Sequence, residues 1–141
     1  MLTTRRATLG LVLLPFAALA GEEALNSAIR AEIGDATPRE GGITLRVPPV
    51  AENGGQVPVT VLVDSPQSAE RHVTAIHLFA TRNPTPGIAS FKLGPALARA
   101  EIQTRIRMSE NQTLVVLARM NDGSVQRATA EIRVATGGCL T

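Results

Sequence analysis

Few side chains in these 141 residues are of a type and spacing that could do chemistry. Cys139 is the only cysteine, and it sits near the C-terminus in "VATGGCLT". A single cysteine cannot close an internal disulfide; in an exported chain it points to intermolecular pairing or to a reactive thiol. Gly137 and Gly138 precede it, and both lack the β-carbon that restricts backbone rotation. With the last strand expected to end near Val134, five extended residues at about 3.3–3.6 Å each would project the thiol up to roughly 16–18 Å. No helix N-terminus or fixed cation can be assigned beside it, and the Thr141 carboxylate disfavours the thiolate. These features suit a handle that is carried into a partner's site better than a nucleophile activated within the chain. Spacing alone equally allows an incidental thiol on a tail.

The other candidates are weaker. His72 and His77 are five apart on one expected strand, so they should point to opposite faces and share no metal. Arg105 and Arg107 share the polar face of a strand and could meet an anion, although a solvated face is the ordinary reason for such a pair. There is no C-x-x-C for dithiol cycling, no G-x-S-x-G, no phosphate loop and no H-E-x-x-H. A small secreted thiol enzyme is disfavoured because no base is placed near Cys139 in sequence.

The elements that must position the thiol follow from periodicity. In "EEALNSAIRAEIGD", Leu25, Ile29 and Ile33 recur at i, i+4 and i+8, with Ala24 and Ala28 beside them. That is one apolar helical stripe, closed by Gly34 as a C-cap, and a linker "ATPREGG" follows. From Ile43 the period becomes two. Strands are expected at 43–47, 57–63, 72–80, 88–93, 101–108, 113–120 and about 125–134. "PPVAENGG" breaks the first run at an Asn53-Gly54 turn, Pro58 suggests an edge or a strand start, and "NPTPG" at 83–87 is a loop. The segment "TLVVLARM" is nearly continuous in apolar residues and reads as a central strand, and Asn121-Asp122-Gly123 as a hairpin turn. In the final strand Ala128, Ala130, Ile132 and Val134 share one face. About seven short antiparallel strands with turns at this spacing give an all-β, immunoglobulin-like sandwich with a short N-terminal helix.

The N-terminus is read apart from the fold. "MLTTRRATLGLVLLPFAALA" has Arg5 and Arg6, an apolar run and small residues at Ala18 and Ala20, the pattern of a signal peptide cut after Ala20. The paired arginines suggest the twin-arginine route, with an ordinary Sec signal as the alternative, and a periplasmic destination. The apolar run is short for a membrane span of about 20 residues. The division is therefore 1–20 signal peptide, 21–40 helix and linker, 41–134 sandwich, and 135–141 an arm bearing Cys139. The signal holds two of the 14 basic residues and none of the 12 acidic ones, so the rest balances at 12 against 12. With Lys92 the only lysine, three phenylalanines and no Trp or Tyr, neither nucleic-acid stacking nor a basic membrane face is supported.

Several motifs together resemble the SoxY family, sulfur-carrying subunits of the periplasmic thiosulfate-oxidising Sox system. They are "ITLRVPPVAENGGQVPVTV", "NPTPGIASF", "TRIRM", the "NDG" hairpin and the terminal "GGC". The resemblance implies an immunoglobulin-like carrier that is not itself an enzyme. It would have no cofactor beyond a covalent sulfur adduct on Cys139, with Gly137 and Gly138 as the swivel. It also implies a SoxZ-like sandwich subunit as heterodimer partner. A SoxXA-like cytochrome would load thiosulfate, a SoxB-like hydrolase would remove sulfate, and a SoxCD-like dehydrogenase would, where present, oxidise the remaining sulfur. The family ending is G-G-C-G-G, whereas this chain reads G-G-C-L-T. Leu140 adds bulk that a slender channel would exclude. The alternative reading is accordingly a binding or assembly module of the same fold whose thiol arm is vestigial.

Overall fold

The computed structural model describes residues 16–135. The expected signal segment up to residue 15 and the arm residues Gly137, Gly138 and Cys139 lie outside the described residues. The order of elements is α1 (Phe16–Ile33), β1 (Arg39–Glu40), β2 (Ile43–Arg46), β3 (Val50–Ala51), β4 (Val57–Val63), β5 (Val73–Ala80), β6 (Gly87–Lys92), β7 (Ala100–Ile106), β8 (Gln112–Met120) and β9 (Val125–Val134). The helix thus starts N-terminal of residue 21, where the apolar stripe alone would begin it. It ends as expected: Gly34 takes φ +63°, a left-handed value that a side chain disfavours, and its N–H donates to Arg30 O at 2.8 Å.

Two sheets face each other. The larger runs β1-β9-β8-β5-β6, with β3 also on β9; the smaller runs β2-β4-β7. The strands pair antiparallel, except that β1 and β3 both lie parallel to β9. The architecture is the expected immunoglobulin-like sandwich, with nine strands among the described residues rather than seven. The two additions, β1 and β3, are two-residue strands inside the expected linker and the expected break. Pro58 does mark a strand start, but β4 is a central strand rather than an edge. The proline lies where β2, which pairs residues 60–63, no longer flanks it, so no ladder bond to β2 is lost.

Burial on the inner faces follows the alternation. Val57, Val59, Val61 and Val63 of β4 meet Ile76 and Leu78 of β5, Leu114, Val116 and Ala118 of β8, and Ile132 of β9 in one buried cluster. The continuous apolar run of β8 has a second cause. Val115 and Leu117 on its other face pack with Phe79, Val125 and Ile33, and Leu25, Ala28 and Ile29 of α1 close over them. A strand covered by a sheet on one side and a helix on the other has no polar face to show. The helix stripe anticipated from Leu25, Ile29 and Ile33 is therefore the cover of a second, smaller core.

The β8–β9 connection is the expected hairpin. Met120 N–H donates to Ser124 O at 2.8 Å, and Gly123 takes φ +88°. Asp122 Oδ1 accepts from both the N–H and the hydroxyl of Ser124, which fixes the turn. This turn matters to function because it sets the register of β9, the strand that leads to the arm.

Candidate functional site

β9 is the longest strand and is gripped along its whole length. β8 pairs it from Val125 to Ile132, where Gln112 is the last partner. Beyond that point β8 has run out, and three separate bonds take over. Arg133 N–H donates to Pro49 O at 3.0 Å, Val134 N–H to Asn111 Oδ1 at 2.7 Å, and Ala135 N–H to Ala51 O at 2.9 Å. β3, which pairs Val50 with Arg133 and Ala51 with Val134 in parallel, supplies Ala51 O, and the residue just before it supplies Pro49 O. The chain is therefore held through Ala135, one residue past the strand. Cys139 lies four residues farther on, so its maximal reach from the clamped root is about 13–14 Å.

The residues of this clamp escaped sequence reading. Pro49, Val50 and Ala51 fall in a stretch that reads as a break, because a two-residue parallel bridge leaves no period to detect. Asn111 looks like an ordinary loop polar residue. The one available signal was Val50-Ala51, an apolar pair between prolines and an acidic turn. Asn111→Ala should raise the exchange rate of the Val134 amide hydrogen while lowering global stability by about 0.5–1.5 kcal/mol, the net worth of one hydrogen bond. Unchanged exchange at Val134 would show that Asn111 is not part of the clamp.

Beside the root lies a groove of about 390 Å³ that includes Pro49, Val50, Asn111 and Ile132 in its lining. Val50, in its lining, is 52% exposed. Its floor is tied down by a buried amide. Gln112, 7% exposed, accepts from Arg82 N–H at 2.7 Å and donates to Asn83 Oδ1 at 2.7 Å; Asn83 in turn accepts from Ser109 N–H at 3.0 Å.

The two histidines are not brought together, and they do not share a strand as expected. His72 precedes β5: its N–H donates to Asn121 Oδ1 at 3.0 Å and its Nδ1 lies 3.0 Å from Ser68 O. His77 is 6% exposed under α1, with Nδ1 2.7 Å from Ser90 Oγ and 3.4 Å from Glu32 Oε2. Both have structural neighbours that account for them. Among the described residues no group of three His, Cys, Asp or Glu could hold a metal ion. Arg105 and Arg107 are solvent-exposed, and Arg105 Nη1 donates to Gln56 Oε1 at 3.4 Å.

His77 gives the fold a pH dependence. Burial lowers its pKa from the ordinary value of 6.5, Glu32 draws it back up, and Arg119 pushes it down. The folded chain therefore binds this proton less well than the unfolded chain. The contribution is complete above about pH 6.5 and is lost as pH falls below it, because the unfolded state protonates first. Urea midpoints measured from pH 7.5 down to 5.5 should fall less steeply in His77→Gln than in the wild type; parallel profiles would refute the assignment.

Comparison with known proteins adds the following. A family described as "Sulfur oxidation protein SoxY" matches residues 29–139, a span that ends on Cys139. The solved structure of the sulfur carrier protein SoxY from Chlorobium limicola f thiosulfatophilum is 34% identical with a TM-score of 0.68, covering 82% of this chain and 99% of that one. A superoxide reductase (neelaredoxin) from Ignicoccus hospitalis is 17% identical with a TM-score of 0.58, covering 67% of this chain and 80% of its own. The superoxide reductase from Nanoarchaeum equitans is 9% identical with a TM-score of 0.55, covering 68% of this chain and 98% of its own. The two reductases share the fold alone. No curated protein sequence matches the chain.

Proposed function

This chain belongs to the SoxY family of sulfur oxidation proteins, and from that premise we propose that it carries sulfur intermediates covalently on Cys139 and presents them to partner enzymes. The observation that carries the reading is the placement of the thiol. The matched span closes on the chain's one cysteine, four residues past Ala135, the last residue held by the clamp. A body that is rigid up to Ala135 and a short segment with two glycines beyond it are what a carrier needs: a fixed docking surface and a thiol that reaches past it.

The chemistry divides between carrier and partners. Loading joins the thiol to thiosulfate: Cys–SH and S₂O₃²⁻ give Cys–S–S–SO₃⁻, one proton and two electrons. The S–S bond forms between the cysteine sulfur and the sulfane sulfur, and the electrons pass to a SoxXA-like cytochrome. Hydrolysis by a SoxB-like partner then cleaves the bond to the sulfone with one water, releasing sulfate and two protons and leaving Cys–S–S⁻. The carrier supplies only the sulfur atom that forms the link, so it is not the enzyme of either step. A SoxZ-like sandwich is its proposed heterodimer partner, a SoxCD-like dehydrogenase a further client, and the periplasm its proposed location, reached through the signal segment at 1–20.

Intact-mass measurement of protein from thiosulfate-grown cells, with and without reductant, tests the reading. A reducible gain in mass of sulfur-containing size supports loading. A second reading is an assembly module with a vestigial thiol, favoured by Leu140, the bulky residue next to the thiol. An unmodified mass in cells that are oxidising thiosulfate would select it.

A further inference from the structure

We propose that α1 is a proton-released lid: protonation of His77 frees the helix from the larger sheet while the sandwich stays folded. The inference concerns the helix alone and stands apart from the carrier reading. α1 is lightly held. Of its apolar stripe only Ile33 is fully buried, while Leu25, Ala28 and Ile29 are half-buried. Among the described residues, polar side-chain ties from the sheet reach α1 only at its last two positions. Glu32 Oε2 lies 3.4 Å from His77 Nδ1, and Arg119 Nη2 donates to Ile33 O at 3.4 Å. Gly34 then closes the helix, and the chain next pairs with the sheet at Arg39, where β1 joins β9. The segment 34–38 between them has no sheet pairing and serves as the hinge.

His77 is where the proton acts. It is buried on the face of β5 that α1 covers, with Nδ1 2.7 Å from Ser90 Oγ of β6. The charged groups that face it are Glu32 from α1 and Arg119 from β8; Lys92, two positions past Ser90 on β6, is exposed. A neutral imidazole fits this site. The Ser90 hydroxyl satisfies one nitrogen, and the ring lies beside Phe79 with centroids 6.5 Å apart. An imidazolium fits it poorly, because burial strips its water and Arg119 repels it. Glu32 offsets only part of that cost, since its side chain is 44% exposed and solvent screens the pair. Lifting α1 brings water to the ring, so the lifted state binds the proton more tightly. The docked helix is therefore favoured above about pH 6.5, where both states are neutral, and loses ground as pH falls below it. Arg119 adds to the poise. Its Nε is buried without a hydrogen-bond partner among the described residues, while its Nη2 touches the helix end. A buried donor left unpaired costs free energy, and lifting α1 hydrates it.

Amide hydrogen exchange of the full chain, in low urea at pH 7.5, 6.5 and 5.5, tests the lid. At pH 7.5 the amides of α1 should be about tenfold or more less protected than those of β8, with a weaker urea dependence. Both are marks of an opening smaller than global unfolding. Between pH 7.5 and 5.5, after correction for intrinsic exchange rates, protection of α1 should fall roughly two- to tenfold. His77→Gln should flatten that fall, because an amide can stand beside Ser90 without titrating. Glu32→Gln should steepen it, because the carboxylate favours the proton in the docked state. If α1 and β8 exchange with equal protection and equal urea dependence, the helix opens only with the whole fold and the proposal is overturned. A pH response that survives His77→Gln, or that Glu32→Gln leaves unchanged, overturns it as well. Glu32 is exposed, so its variant decides the matter even if His77→Gln fails to fold.

Discussion

Cys139→Ala is expected to abolish every reducible sulfur adduct while leaving the unfolding free energy within about 0.5 kcal/mol of the wild type, as for surface substitutions generally. The first half follows from there being no second cysteine to load. The second follows from the clamp. Among the described residues, the clamp bonds reach Ala135 and both buried clusters are built from residues before it. Loss of function without loss of fold separates a carried substrate from a structural thiol. An adduct that persisted in the alanine variant would place sulfur on another group and end the carrier assignment for this residue. A large drop in stability would instead make Cys139 a structural residue.

Phe79→Ala should have the largest effect on the fold, about 3–5 kcal/mol, the range for truncating a buried aromatic. Against a typical total of about 5–15 kcal/mol, a loss of that size leaves a marginal protein. Phe79 is 2% exposed and is the largest of the fully buried side chains. It lies in the cluster between the larger sheet and α1, where Val115, Leu117, Val125 and Ile33 would be left around a void. The urea midpoint measures the total cost, and hydrogen exchange locates it: amides of α1 should lose the most protection. Leu97→Ala serves as the control, since Leu97 is 43% exposed and has little to lose. If the midpoint of Phe79→Ala moved by no more than that of the control, the second core would not be a source of stability. The folded fraction of Phe79→Ala should still accept sulfur on Cys139, because the helix core and the arm root share no side chain.

The element-level reading succeeded where one face of an element is buried. Ile106 and Met108 are buried on the inward side of the 101–108 segment, while Gln103, Arg105 and Arg107 are exposed. The stripe of Leu25, Ile29 and Ile33 likewise told which side of α1 would be covered. It was less informative where a segment is too short for a period. β1 and β3 are two residues each, and both gain their strand character from β9, which is some 85 residues away in the chain. The histidines show a related limit. Parity placed His72 and His77 on opposite faces of one strand, but the strand begins at Val73 and its pairing with β8 is irregular between Val73 and Ala75, so parity fails at that end.

The sequence by itself located the one thiol on which the proposed function rests. A lone thiol behind two glycines is a covalent feature, and no packing is needed to know that it is there. It also determined the sandwich and its helix, because alternation and the 3.6-residue stripe are local consequences of burying one face. Only the tertiary structure decided where the arm begins. That boundary depends on acceptors from Pro49, Ala51 and Asn111, residues far from β9 in the chain, closing on three consecutive amides. Hydrogen bonds from these amides to two backbone carbonyls and one side-chain amide outside β9 leave no mark on local composition, so the root of the arm and the groove beside it exist only once the chain has folded.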